Sequence, residues 1–168
     1  EGAITDSGNV VVTGITMLAA GAGNDITLDS AGNNFSTVSV TSGRNVTLND
    51  TSALILGAST VSGTLGVTTA GAITQSGALN VTGTTSLAAG AANDVTLNNA
   101  SNNFSTVGIT SGRNVTLVDS NALDLGTSTI AGTLNVTAGG PITDSGNVVV
   151  TGTTALAAGA GNDITLNN

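Results

Sequence analysis

The sequence predicts an all-β protein in which short parallel strands stack into a β-solenoid. Three observations support this prediction. The chain repeats itself every 69 residues, apolar residues alternate with polar ones, and Gly, Asn, Ser and Asp interrupt the apolar segments at short intervals. A fixed period of self-similarity indicates one supersecondary unit that stacks on its neighbours. Alternation with period two indicates strands with one buried face.

The repeat units span residues 2–70, 71–139 and, in part, 140–168. The two full units are identical at 46 of 69 positions, and the partial third unit matches the first at 24 of 29. Within a unit, Asn45-Val-Thr-Leu48 resembles Asp25-Ile-Thr-Leu28 twenty residues earlier. These internal echoes predict three turns of about 20–23 residues per unit. Residues 1–168 would then form a single solenoid segment of roughly seven turns.

The alternation predicts short strands with aliphatic side chains on one face. The expected inward pairs are Ile26/Leu28, Val38/Val40, Val46/Leu48, Val95/Leu97, Val107/Ile109, Val115/Leu117, Leu123/Leu125 and Leu134/Val136. Turn-forming residues between them predict tight corners. Three Ala-rich segments, 18–22, 87–91 and 156–160, are too short and too rich in Gly for a stable helix. We expect a strand or a packed corner in each.

Composition excludes several classes of function. The chain has 24 Gly, two Phe and no Trp, Tyr, Cys or His, and only 7% of its residues are charged. A net charge of −8 excludes a nucleic-acid partner, which requires a basic surface. No apolar run approaches the roughly 18–20 residues of a membrane span, so we expect no membrane insertion of this segment. Lys, Cys and His are absent, so no conventional base is available, and we expect neither catalysis nor a cofactor.

Scattered carboxylates do not alter that expectation. Asp6 and Asp144 occupy equivalent positions, but Gln75 replaces them in the middle unit. Ile55 likewise stands where the second unit has Asp124. Glycoside-cleaving sites need a fixed pair of carboxylates. Carboxylates that are replaced from unit to unit predict a solvated surface instead.

Three motifs carry a resemblance to a known family. They are N-V-T-L at 45–48, L-N-V-T-A-G-G at 134–140 and G-x-I-T-x-S-G at 2–8. The chain resembles the filamentous-haemagglutinin-like repeats of bacterial surface proteins, which include two-partner-secretion adhesins and autotransporter passenger domains. The resemblance implies a right-handed parallel β-helix, export to the extracellular cell surface, and a role in adhesion, aggregation or fibre formation. The units here are more alike than is typical of such adhesins, which favours a long, regular fibre.

Paired asparagines precede the only two phenylalanines. Asn33-Asn34-Phe35 in the first unit aligns with Asn102-Asn103-Phe104 in the second. The amides could form a polar surface that contacts a ligand. Alternatively, stacked amides satisfy backbone groups of the turns, as they do in other stacked β structures.

The only two basic residues, Arg44 and Arg113, occupy equivalent positions. Each could bind an anionic ligand or pair with a nearby aspartate. If adjacent turns stack in register, Arg44 approaches Asp25 and Arg113 approaches Asp94. Asp163 is the third-unit equivalent of these aspartates. One aspartate per unit is too sparse for a calcium site, which needs several oxygen ligands, so no metal site is predicted.

Threonines lie between the inward aliphatic residues, and we expect them to face outward. They are Thr27, Thr47, Thr96, Thr116 and Thr165. Such a face could recognise a glycan or another surface, although threonine also has a high intrinsic preference for strands.

The sequence as a whole predicts the structural repeat region of an extracellular bacterial fibre or adhesin, acting as a rigid spacer. The alternative is a glycan- or surface-binding module that uses an outward Thr/Asn face. Expected partners are copies of the same protein, joined end to end or laterally, or the surface of a host or neighbouring cell. The repeat pattern continues to both ends of the chain, which predicts an excerpt of a longer array or one segment of a stacked filament.

Overall fold

The computed structural model describes residues 1–168 as an all-β structure in which every strand pairing is parallel. No helix is long and apolar enough to span a membrane. The strands are β1 Ile4–Thr5, β2 Val11–Ala19, β3 Ile26–Leu28, β4 Asn34–Ser42, β5 Val46–Asp50, β6 Leu54–Leu56, β7 Ser59–Val61, β8 Leu65–Thr69, β9 Ile73–Gln75, β10 Leu79–Ala88, β11 Val95–Leu97, β12 Asn103–Ser111, β13 Val115–Asp119, β14 Leu123–Leu125, β15 Ser128–Ile130, β16 Leu134–Ala138, β17 Ile142–Asp144, β18 Val148–Val150, β19 Thr154–Ala157 and β20 Ile164–Thr165.

Two long sheets run the length of the molecule. The first sheet has the order β1-β3-β5-β8-β10-β12-β14-β17-β20, and β7 pairs with the start of β10. The second sheet has the order β2-β4-β6-β9-β11-β13-β16-β19, and β15 pairs separately with β18. The chain crosses from one sheet to the other and back in each turn. The predicted parallel β-solenoid is therefore confirmed, with about eight turns rather than seven.

The repeat unit does not contain a whole number of turns. Ile4 in β1 and Ile142 in β17 are two units, or 138 residues, apart, and seven strand-to-strand steps separate them in the first sheet. The equivalent residue of the middle unit, Ile73, lies in β9 of the second sheet. One unit is therefore three and a half turns of about 20 residues each, and consecutive units are rotated by half a turn. The prediction of three turns per unit is wrong because the corners are shorter than it assumed.

The inward positions form one continuous core of 33 buried aliphatic and aromatic residues. Phe35 and Phe104 are its largest members, and each is 1% exposed. The Ala-rich segments behave as strand ends and corners, because β2 ends at Ala19 and β10 at Ala88. The corners follow at Gly21 and Gly90, whose φ angles of 91° and 83° favour glycine.

Candidate functional site

The polar side chains concentrate at the corners of the solenoid, where they join adjacent turns. Arg44 and Asp25 form a bidentate pair with an Nε–Oδ1 distance of 2.8 Å and an Nη2–Oδ2 distance of 2.9 Å. The backbone and side-chain amides of Asn45 both donate to Asp25 Oδ1, at 3.1 and 3.0 Å. The hydrogen bond from Arg44 is the main cause that lowers the pKa of the Asp25 carboxyl well below its ordinary range.

The second unit repeats this network. Arg113 contacts Asp94 at 2.8 and 2.9 Å, and Asn114 donates two further hydrogen bonds to the same carboxylate. The hydrogen bond from Arg113 is the main cause that lowers the pKa of Asp94 to about 2. Both donor edges of each arginine that face the carboxylate are in use, so the arginine acts as a clasp between turns. Asp163 of the third unit is exposed, and its backbone carbonyl accepts from Ile142 N at 3.1 Å.

The first asparagine of each pair is fully buried and closes a different corner. Asn102 Oδ1 accepts from Leu79 N at 3.0 Å and from Gln75 Nε2 at 2.8 Å. Its Nδ2 donates to Gln75 Oε1 at 2.9 Å and to the Val118 carbonyl at 3.1 Å. This side chain therefore satisfies backbone and side-chain groups from three turns.

In the first unit, Asn33 Oδ1 accepts from Val10 N at 2.8 Å, and Asn33 Nδ2 donates to Asp6 Oδ2 at 2.6 Å. The hydrogen bond from Asn33 is the main cause that lowers the pKa of Asp6. Asp6, Gln75 and Asp144 are half-buried corner residues, which corrects the prediction of a solvated surface. Asp and Gln replace each other here because both offer an oxygen acceptor.

The second asparagine of each pair faces outward. Asn34 Oδ1 accepts from Ser52 Oγ at 3.1 Å, and Asn103 Oδ1 accepts from Asn121 Nδ2 at 2.9 Å. Each lies in a shallow groove, and the second groove is lined by Asn80, Asn103 and Asn121. Because the units are rotated by half a turn, the two grooves open on opposite sides of the solenoid.

Two buried aspartates escaped the sequence analysis. Asp119 Oδ1 accepts from Phe104 N at 2.8 Å and its Oδ2 accepts from Asn121 N at 3.1 Å, while burial raises the pKa of Asp119. Asp50 accepts from Phe35 N in the same way. Both are the third inward position of an alternating strand, so the period-two pattern contained the signal.

The family model described as "Repeats of unknown function (DUF5649)" matches residues 1–42, 43–111 and 112–168. The chain belongs to the DUF5649 repeat family. The central match is as long as the 69-residue period. No curated protein and no solved structure matches the chain.

The outward threonines of these DUF5649 repeats form two short rows. Thr27 pairs with Thr47 in the first sheet, and Thr96 pairs with Thr116 in the second. Gly66 ends the first row and Asn135 ends the second. Thr165, in the last strand, pairs with Thr143. The threonine surface is therefore broken into strips of about three turns.

Acidic side chains are dispersed over the DUF5649 units. No three Asp or Glu side chains lie together in a group that could hold a metal ion. Asp124, for example, accepts from Thr106 Oγ1 at 3.0 Å and from Thr143 Oγ1 at 3.2 Å, which are contributed by the turns on either side. Its carboxylate therefore also joins adjacent turns.

Proposed function

We propose that the chain is a rigid spacer in the shaft of an extracellular bacterial fibre or adhesin. The observation that carries this proposal is the parallel pairing that continues from β1 to β20 around one uninterrupted core. A solenoid in which each turn contacts only its neighbours gains length without changing its cross-section.

The corner networks supply stiffness to such a shaft. Each arginine clasp joins residues 19 positions apart, and the buried Asn102 joins Gln75 and Val118 across two turn boundaries. These contacts oppose shear and bending between turns, because a displaced turn would leave buried polar groups without partners. The same contacts recur in both complete units, as a structural device would.

The extracellular location and the non-catalytic role are part of the proposal. They rest on the resemblance to filamentous-haemagglutinin-like repeats and on a sequence without Lys, His, Cys or Tyr. The polar networks found in the structure have their acceptors and donors engaged with one another, which suits a scaffold better than a site that must bind a reactant.

Insertion of extra units tests the spacer role. One or two additional copies of residues 71–139 are inserted after Gly139, and the length and cross-section of the rod are measured by small-angle X-ray scattering and electron microscopy. With a rise of about 4.8 Å per turn, one unit adds about 17 Å and two add about 34 Å. A thicker particle, or a length that does not grow in these steps, would contradict the proposal.

The groove around Asn103 supports the second candidate function, a glycan-binding module. Asn80 makes no side-chain hydrogen bond among those present, and Asn121 leaves its amide oxygen free, so three stacked amides face solvent. In the full fibre or adhesin, Asn80→Ala with Asn121→Ala would abolish adhesion if this groove binds the receptor. Adhesion that is unchanged by these substitutions but falls when a unit is deleted would favour the spacer.

A further inference from the structure

The two complete units differ systematically on their outward surfaces. Four large hydrophobic side chains of the first unit are exposed: Val11 by 67%, Ile15 by 68%, Met17 by 74% and Ile55 by 37%. The equivalent residues of the second unit are all polar. They are Asn80, Thr84, Ser86 and Asp124.

The four hydrophobic residues form one surface, called here the apolar face. Ile15 pairs with Thr37, and Thr37 pairs with Ile55, so these residues lie in one row across the second sheet. Met17 and Val11 lie on either side of Ile15 along β2. Strands on both sides flank β6, so the exposure of Ile55 reflects its outward direction. The polar counterparts lie in β10 and β14 of the first sheet, on the opposite side.

The half-turn rotation keeps the two kinds of surface apart. The third unit returns to the side of the first after seven turns, and Val149, the equivalent of Val11, is 49% exposed there. Consecutive units therefore place apolar surface on one side of the solenoid and polar surface on the other. An exposed apolar patch bounded by polar residues marks a site of interaction.

The charge and size of the apolar face indicate its partner. The face contains no charged side chain, whereas the chain as a whole carries a net charge of −8. Two copies can therefore meet here without opposing carboxylates. Four side chains expose on the order of a few hundred Å², less than the roughly 800 Å² per partner of a stable interface. One patch supports a weak, reversible contact, and repetition along a shaft would strengthen it by multivalency.

We propose that the apolar face is a lateral contact surface through which two copies of this chain associate side by side. The same patch on both copies forms a two-fold symmetric contact, and the polar opposite face limits the assembly to pairs. The proposal does not depend on the spacer role, because rod length tests the spacer and association state tests the apolar face.

Analytical ultracentrifugation over a concentration series tests this assignment. The protein should show a reversible monomer–dimer equilibrium. A swap variant carries Val11→Asn, Ile15→Thr, Met17→Ser and Ile55→Asp, which are the residues of the second unit at the same positions and therefore suit the fold. Its dimerisation should be at least tenfold weaker, which corresponds to about 1.4 kcal/mol. A monomeric protein at all concentrations, or an unchanged equilibrium in the swap variant, would overturn the proposal.

The reverse swap is the matched gain-of-function variant. Its substitutions are Asn80→Val, Thr84→Ile, Ser86→Met and Asp124→Ile. They create a second apolar face on the opposite side, and assemblies larger than dimers should form because each copy then has two contact surfaces.

One further substitution separates lateral contact from end-to-end stacking. Ile55→Thr lies two turns from the β2 edge and introduces no charge, so it should also weaken dimerisation. If only substitutions in β2 have an effect, the copies join through the open edge of that strand and the lateral proposal fails.

Discussion

The hydroxyl of Thr85 is buried in the apolar core and should be replaceable with a gain in stability. Thr85 is 0% exposed, and its Oγ1 has no hydrogen-bond partner. It occupies an inward position between Leu65 and Val107 of the adjacent turns, both of which are buried and aliphatic. The side chain thus contributes its methyl group to packing, while the hydroxyl loses its contact with water without compensation.

The magnitude follows from that geometry. An unsatisfied buried hydrogen-bonding group costs about 1–3 kcal/mol, and valine has nearly the same shape as threonine. Thr85→Val should therefore raise the free energy of unfolding by about 1–2 kcal/mol. The equivalent Thr16 also has an unpartnered Oγ1 but is only half-buried, so Thr16→Val should give a smaller increase.

Urea unfolding followed by circular dichroism measures the effect, with an unchanged m-value showing that the exposed surface is the same. Two controls separate the hydroxyl from packing. Thr85→Ala removes the methyl group as well and should destabilise the protein, whereas Thr96→Val on the outward face should change stability by less than about 0.5 kcal/mol. A lower stability for Thr85→Val would refute the reasoning, because the hydroxyl would then have a partner inside the solenoid.

Three further outcomes are expected. Asn102→Ala leaves a buried backbone N–H and the Gln75 amide without partners and should cost about 2–4 kcal/mol in urea unfolding; Asn34→Ala, on the surface, serves as its control. Phe104→Ala empties the widest part of the core and should cost about 3–5 kcal/mol. The pKa of Asp94 is lowered to about 2 in the folded protein, so its contribution to stability is present above its ordinary pKa and is lost as the pH falls toward 2. Arg113→Gln should raise that pKa in an NMR titration and reduce this acid-dependent loss; an unchanged Asp94 titration would contradict the arginine clasp.

Local alternation was sufficient to locate most of the core. Val95 and Leu97, and likewise Val115 and Leu117, are buried as the period-two pattern predicts. This succeeds because successive side chains of a strand point to opposite faces whatever the strand pairs with. The pattern of Gly and Asn similarly marked the corners, since few other residues suit tight turns.

The polar corners were harder to predict from sequence. Asn33 and Asn102 are buried while the neighbouring Asn34 and Asn103 are exposed, although the sequence presents them as identical pairs. The difference arises because the partner of Asn102 is Gln75, 27 residues away. Whether an amide at a corner turns inward depends on the acceptors and donors that the adjacent turns bring to it.

The 69-residue period, the parallel solenoid and the aliphatic core could be derived from the sequence alone, because each follows from local repetition and alternation. The rotation between units could not. Turns in this molecule vary in length, and the same I-T-x segment fits the first sheet at Ile4 and the second sheet at Ile73. Only the stacking of complete turns decided that a unit comprises three and a half of them, because the turn boundary is set by pairing with the neighbouring turn. That half turn places the apolar residues of the first unit and the polar residues of the second on opposite sides of the shaft.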